Sequence, residues 1–170
     1  MRVSAIDIAC GSLDAVLAEA RRSAEVTHDH PEGIRGAQAT AAAVFLARSG
    51  ASKDDIRNDL ERDFGYDLSQ RLDDIRDSYR FDVSCQGSVP QSIIAFLESV
   101  SWEDAIRNAI SLGGDADTMA AIAGGIAEAF YGGVPEPVGG RALAYLDQPL
   151  RTIVDAFTGR FGDRLTGHRR

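Results

Sequence analysis

The run from Thr118 to Ala127 limits what this chain can fold into more than any other segment. It holds Ala120, Ala121, Ala123, Gly124, Gly125 and Ala127, so it is almost free of side-chain bulk. A glycine inside a helix costs about 1 kcal/mol relative to alanine, and two in succession need a reason. Close approach of neighbouring elements supplies one. A helix of this composition belongs at the centre of a helical assembly, buried on several sides.

The rest of the chain carries the same helical period. Ser12 caps a helix with Leu13, Val16, Leu17, Ala20 and Ala24 on one face. A second helix runs from about Glu32 to Ser49 and ends at Gly50. Ser52 with Asp55 forms a capping box opening a third, which Gly65 stops. Leu68, Leu72, Ile75 and Tyr79 lie at helical spacing. Arg80 to Val89 reads as the first long irregular stretch, with Pro90 at the first position of the next helix. Ser101 and Asp104 start another helix, which Gly113 and Gly114 end. After a Gly/Pro-rich turn from Gly132 to Gly140, one last amphipathic helix carries Leu143, Leu146, Leu150, Ile153, Val154 and Phe157. No alternating Val/Ile/Thr run is present. The expected fold class is all-α, one domain of seven or eight helices over residues 1–158, with a basic, frayed tail at 159–170 that contains His168.

Composition excludes several functions. Lys plus Arg is 18 against 26 Asp plus Glu, a net charge of -8, which argues against nucleic acid or an anionic membrane as partner. Cys10 and Cys85 are isolated, without a CxxC, which fits a reducing cytoplasm and neither a disulfide scaffold nor zinc.

Three segments can carry chemistry. Gly113-Gly114-Asp115-Ala116-Asp117-Thr118 places two carboxylates and a hydroxyl at a helix start. Helix capping explains such residues. A hard cation such as Mg²⁺ or Mn²⁺ explains them equally, because it takes oxygen ligands, with water, substrate or further protein oxygens completing a shell of about six. Thr27-His28-Asp29-His30-Pro31-Glu32 reads as a loop in which Thr27 or Asp29 caps the next helix, or in which His28 donates a hydrogen bond into a cleft. Asp82 to Pro90 is polar and irregular; Ser88 caps a helix there, or the loop faces a ligand. Cys85 has no adjacent base in sequence and is not read as a nucleophile. The adjacent pairs Asp54-Asp55 and Asp73-Asp74 read as solvated helix faces.

Together these segments resemble the ADP-ribosylglycohydrolase family. Gly113 to Thr118 followed by Met119 to Gly124 is similar to its second metal motif. Thr27-His28 with Gly33, Gly36 and Ala37 is similar to its Thr-His segment, and Gln86-Gly87-Ser88-Val89-Pro90 to the loop before its late helices. The resemblance implies a compact all-α fold, a binuclear Mg²⁺ or Mn²⁺ centre, and cleavage of the glycosidic bond between ADP-ribose and a protein side chain or small-molecule acceptor. It implies metal ligation by Asp115, Asp117 and Thr118, and substrate contacts by His28, Gly114, Gln86 and Ser88.

The family also carries a Gly-Asp element, a Thr-Asp-Asp-Thr metal motif and a Gly-Asn-Gly segment leading into Met-Arg-Val-Ser. Only the last four residues have a counterpart here, at Met1 to Ser4. The expectation is a chain matching roughly the C-terminal two-thirds of a glycohydrolase, whose acidic catalytic residue and remaining metal ligands lie in the absent part. An oligomer or a complementing N-terminal chain would then complete the site. The alternative is an incomplete fragment or a module that binds ADP-ribose or a nucleotide without turnover.

Overall fold

The computed structural model describes the backbone of residues 2–166 and the side chains of residues 2–162. Ten helices and no strand occur among them, in agreement with the all-α expectation: α1 (Ile6–Ala9), α2 (Leu13–Glu25), α3 (Pro31–Arg48), α4 (Lys53–Phe64), α5 (Leu72–Arg76), α6 (Cys85–Leu97), α7 (Trp102–Ser111), α8 (Ala116–Tyr131), α9 (Glu136–Ala144) and α10 (Gln148–Thr166).

The small-residue segment forms α8, which packs against α3, α6 and α7. Met119, Ile122, Ala123, Ile126 and Ala127 are buried. The glycine pair is used on two sides. A Cβ at Gly124 would stand 2.6 Å from Ile106 Cδ1, and one at Gly125 2.7 Å from Ser4 Oγ. Trp102 Nε1 donates to the Gly124 carbonyl at 3.2 Å, which fastens α7 to the bare stripe. Lys53 ties α4 to the same layer. Its Nζ donates to the Phe96 and Leu97 carbonyls at 3.0 and 3.1 Å and to the Ser99 carbonyl, at the end of α6. It also lies over the Phe130 and Tyr131 rings of α8. A cation at a helix C-terminus satisfies carbonyls that lack helical partners, and the ring faces add attraction.

Caps at Ser12, Ser52 and Ser101 and the left-handed Gly65 stand where the sequence places them. Several boundaries differ. The Leu68–Tyr79 pattern is helical only over α5. The segment from Arg80 is not irregular up to Val89, because α6 begins at Cys85. Ser84 is its cap, accepting from the Gly87 N–H at 3.1 Å, rather than Ser88. Pro90 therefore lies inside α6. Proline removes the bond to the carbonyl four residues back, here that of Gln86, and Gln86 is exposed, so solvent can serve that carbonyl. Neither Thr27 nor Asp29 caps α3; His30 does, its Nδ1 accepting from Glu32 N at 3.2 Å.

Met1–Ile8, which shows no helix start in sequence, contains the short α1. The expected single last helix is two, and α9 begins inside the Gly132–Gly140 turn. Helix α10 continues past Gly159 to Thr166; His168 lies outside the described residues.

Candidate functional site

The site is built at the N-terminal ends of α3, α6 and α8. Gly113 and Gly114 both adopt positive φ, 73° and 64°, and turn the chain out of α7 so that Asp115 precedes α8. Such angles favour glycine strongly. Gly114 also has no room for a side chain: a Cβ there would stand 2.7 Å from Tyr79 Cε1. The Tyr79 hydroxyl donates to the Gly87 carbonyl at 2.8 Å. One tyrosine thus braces the Asp115 turn against the first turn of α6.

Asp115 occupies the cap position of α8, yet its side chain makes no capping hydrogen bond. The capping explanation therefore does not account for it. Its carboxyl stands within hydrogen-bonding reach of Asp117. That contact, with the N–H groups of Thr118 and of Asp117 itself, holds the Asp117 carboxyl below the usual carboxylate range. Two carboxyls placed together in this way are suited to sharing a cation. Two carboxylates with the Thr118 hydroxyl are an all-oxygen donor set, which suits Mg²⁺ or Mn²⁺ and not a soft metal. Among the described residues no group of three or more His, Cys, Asp or Glu gathers to hold an ion.

Opposite this turn, the backbone folds back tightly between α2 and α3. His28 N donates to the Ala24 carbonyl at 2.7 Å, and His30 N to the His28 carbonyl at 2.8 Å. Gly33 admits this turn, since a Cβ there would lie 2.6 Å from the His28 carbonyl oxygen. The His28 Nδ1 is 2.7 Å from Thr27 Oγ1, which also accepts from the Arg2 guanidinium. Gly36 plays the same part toward α6: a Cβ there would meet Cys85 Cβ at 3.1 Å and Val89 Cγ2 at 3.2 Å.

The three segments meet in one cleft of about 450 Å³. His28, Cys85, Ser88, Asp115 and Thr118 all line it, with Arg2, Thr40 and Ile122. Asp117 is exposed and does not line the cleft, although its carboxyl interacts with that of Asp115, which does. Ser88 is buried, and its hydroxyl donates to the Ser84 carbonyl at 2.7 Å, so it contributes surface rather than a free donor. Burial, with Glu32 adding to it, pushes the Cys85 thiol up. Besides Asp117, two further residues expected at the cleft do not line it. Gln86 faces solvent on α6, and Gly114 packs on Tyr79.

The sequence profile of the ADP-ribosylglycohydrolase family matches residues 1–166. This chain belongs to that family. Human ADP-ribosylhydrolase ARH3 is 32% identical over 78% of this chain, a match covering 49% of the human protein. The ADP-ribosylarginine hydrolase Tri1 of Pseudomonas putida is 31% identical over 71% of the chain and 34% of its own length. A solved structure described as an ADP-ribosylglycohydrolase-related protein complex superposes with a TM-score of 0.61 at 27% identity, covering 89% of this chain and 52% of that one. The chain spans about half the length of the curated ARH3 relatives it matches.

Residue-by-residue reading of this glycohydrolase-family chain missed Arg2, Thr40 and Tyr79. Arg2 lies within the Met1–Ser4 segment that resembles the family, which is the one signal that could have drawn attention to it. Thr40 and Tyr79 carry no such signal, because their roles depend on contacts between distant segments.

Proposed function

We propose that this chain supplies the Asp115/Asp117/Thr118 side of a metal-assisted hydrolase site that cleaves the glycosidic bond between ADP-ribose and an acceptor, either a protein side chain or a small molecule. The observation that carries the reading is convergence: segments around residues 28, 85–88 and 115–118 line one cleft. In this reading Asp115, Asp117 and Thr118 hold Mg²⁺ or Mn²⁺ through oxygen. Such an ion, when bound, stabilises charge developing near the anomeric carbon and orients water.

The remaining roles fall to the chain's own side chains. Thr27 Oγ1, already accepting from Arg2, gives its hydrogen to His28 Nδ1, which leaves Nε2–H to donate to the bound ligand. Arg2 offsets the negative charge that a diphosphate brings to an acidic protein. Ile122 and Val89 form an apolar wall for a sugar or base face. Three oxygen ligands fill half of a six-ligand shell. Substrate, water and a further protein segment, in the same polypeptide, a second copy or a complementing chain, complete it and bring the acidic catalytic residue. The setting is cytoplasmic, consistent with two free cysteines. No helix among the described residues is long and apolar enough to cross a membrane.

The test is hydrolysis of ADP-ribosylated peptides carrying arginine or serine linkages, read as free ADP-ribose by mass spectrometry, with the family's N-terminal segment added in a parallel reaction. Release is expected with Mg²⁺ or Mn²⁺, is stopped by EDTA, and is lost in Asp117→Ala. Release that Asp117→Ala leaves unchanged overturns the ligand assignment.

A further inference from the structure

A second cleft, of about 310 Å³, lies where α1 meets the C-terminal end of α3. Asp7, Ile8 and Cys10 line one side, and Phe45, Arg48 and Ser49 the other. It shares no lining residue with the first cleft. Asp7 is only 4% exposed. Arg48 Nε donates to its Oδ2 at 2.5 Å, joining α1 to α3. The other oxygen, Asp7 Oδ1, is buried and has no hydrogen-bond partner among the described residues.

That oxygen defines the chemistry. A carboxylate accepts and does not donate, and leaving such an acceptor buried without a donor is costly. Arg48 reaches the carboxylate at Oδ2 through Nε, so a donor for Oδ1 would come from outside the described residues, as a ligand or a water. Glu128 of α8 is within electrostatic reach of both Arg48 and Asp7. Glu128 does not line the cleft, but where it is ionised it and Asp7 together outweigh the Arg48 charge, a balance that favours a cation over an anion. Ile8 and Phe45 offer apolar surface of the kind that covers the aliphatic stem of an amine or guanidine.

We propose that this cleft is a second ligand site, which takes an alkylammonium or alkylguanidinium group whose N–H donates to Asp7 Oδ1. Two sources carry that chemistry. One is a free small molecule. The other is the chain's own C-terminal segment, whose sequence carries Arg164, Arg169 and Arg170 and which belongs to or follows α10, a helix that packs on α1.

The experiment is a titration of the full chain, followed by amide NMR, with butylguanidinium and butylammonium as probes and butanol and acetate as controls. The expected result is saturable shifts at Asp7, Cys10 and Ser49 with the two cations and none with either control. Asp7→Asn keeps the shape and weakens binding about tenfold or more, the worth of a charge-assisted hydrogen bond. Because that change also loosens Arg48, a second variant is needed. Gly11 lies at the lining of the cleft, with no atom within 4 Å of where its Cβ would stand. Gly11→Phe is expected to block the probes while leaving the melting temperature unchanged.

A chain with Arg164→Gln, Arg169→Gln and Arg170→Gln separates the sources. Tighter probe binding identifies the tail as the resident group, and unchanged binding identifies a free ligand. The proposal is overturned if no saturable shift appears in either chain, which would mean that water alone serves Asp7. It is equally overturned if acetate produces the shifts in place of the cations.

Discussion

Helices α8 and α10 are both legible as helices in sequence, yet they do opposite work. Helix α8 has almost no bulk and is packed on three sides. Helix α10 is longer, and its main described partner is α1. It leaves Leu150 and Ile153 half or more exposed. The neighbouring α9 buries nothing. The difference shows what the site requires. Two carboxyls held side by side keep a defined geometry only if the turn that bears them is fixed by its surroundings. Gly124, Gly125, Trp102 and Tyr79 fix the α8 end. No described residue of α9 or α10 lines the cleft.

The largest expected effect comes from filling the bare stripe. Gly124→Leu forces Ile106 and Trp102 away and should cost about 3 kcal/mol. In a chain of this size that lowers the melting temperature by about 10 °C, measurable by calorimetry. A change below 2 °C, roughly half a kcal/mol, would show that α7 and α8 are not in close contact. Next is Lys53→Met, which removes an ammonium from three carbonyls and the ring faces; a loss of about 2 kcal/mol in urea unfolding is expected.

A smaller effect is kinetic. Burial raises the Cys85 thiol, so at a given pH the folded protein holds less thiolate than the unfolded chain. Alkylation of Cys85 should have its pH midpoint above that of an ordinary cysteine and return to the ordinary value in urea. The smallest effects are expected in the other region. Leu150→Ala and Arg151→Met, the latter breaking an exposed pair with Asp155 at 3.1 Å, should each change stability by no more than about 0.5 kcal/mol. A larger loss would mean that α10 is as fixed as α8.

What the sequence reveals and hides follows the range of each interaction. Caps at Ser12, Ser52 and Ser101 and the stop at Gly65 act within four residues, and each is readable from its neighbours. The central position of α8 is readable because composition alone leaves it no other use. The gathering of His28, Ser88, Asp115 and Thr118 is readable through family resemblance, not through spacing. Pro90 misleads, since proline favours a helix start locally, yet it stands inside α6, where the exposed Gln86 lets solvent serve the carbonyl that loses its partner. That shift moved the cap from Ser88 to Ser84 and put Gln86 on the solvent side. Tyr79 on Gly87, Arg2 on Thr27 and Asp7 on Arg48 join segments that no local pattern connects. The division of the last helix, by contrast, does have a local signal, since Asp147 Oδ1 accepts from Leu150 N at 3.0 Å and Pro149 stands in the first turn of α10.

The central proposal is that Asp115 and Asp117 together would hold a hard cation at the cleft, where ADP-ribose would also bind. The direct test is calorimetric titration of Mn²⁺, then of ADP-ribose with and without Mn²⁺, into the chain and into Asp115→Ala and Asp117→Ala. The account predicts saturable Mn²⁺ binding, tighter ADP-ribose binding when the ion is present, and loss of both by about tenfold or more in each variant at unchanged melting temperature. Equal Mn²⁺ and ADP-ribose affinities in all three proteins would contradict it.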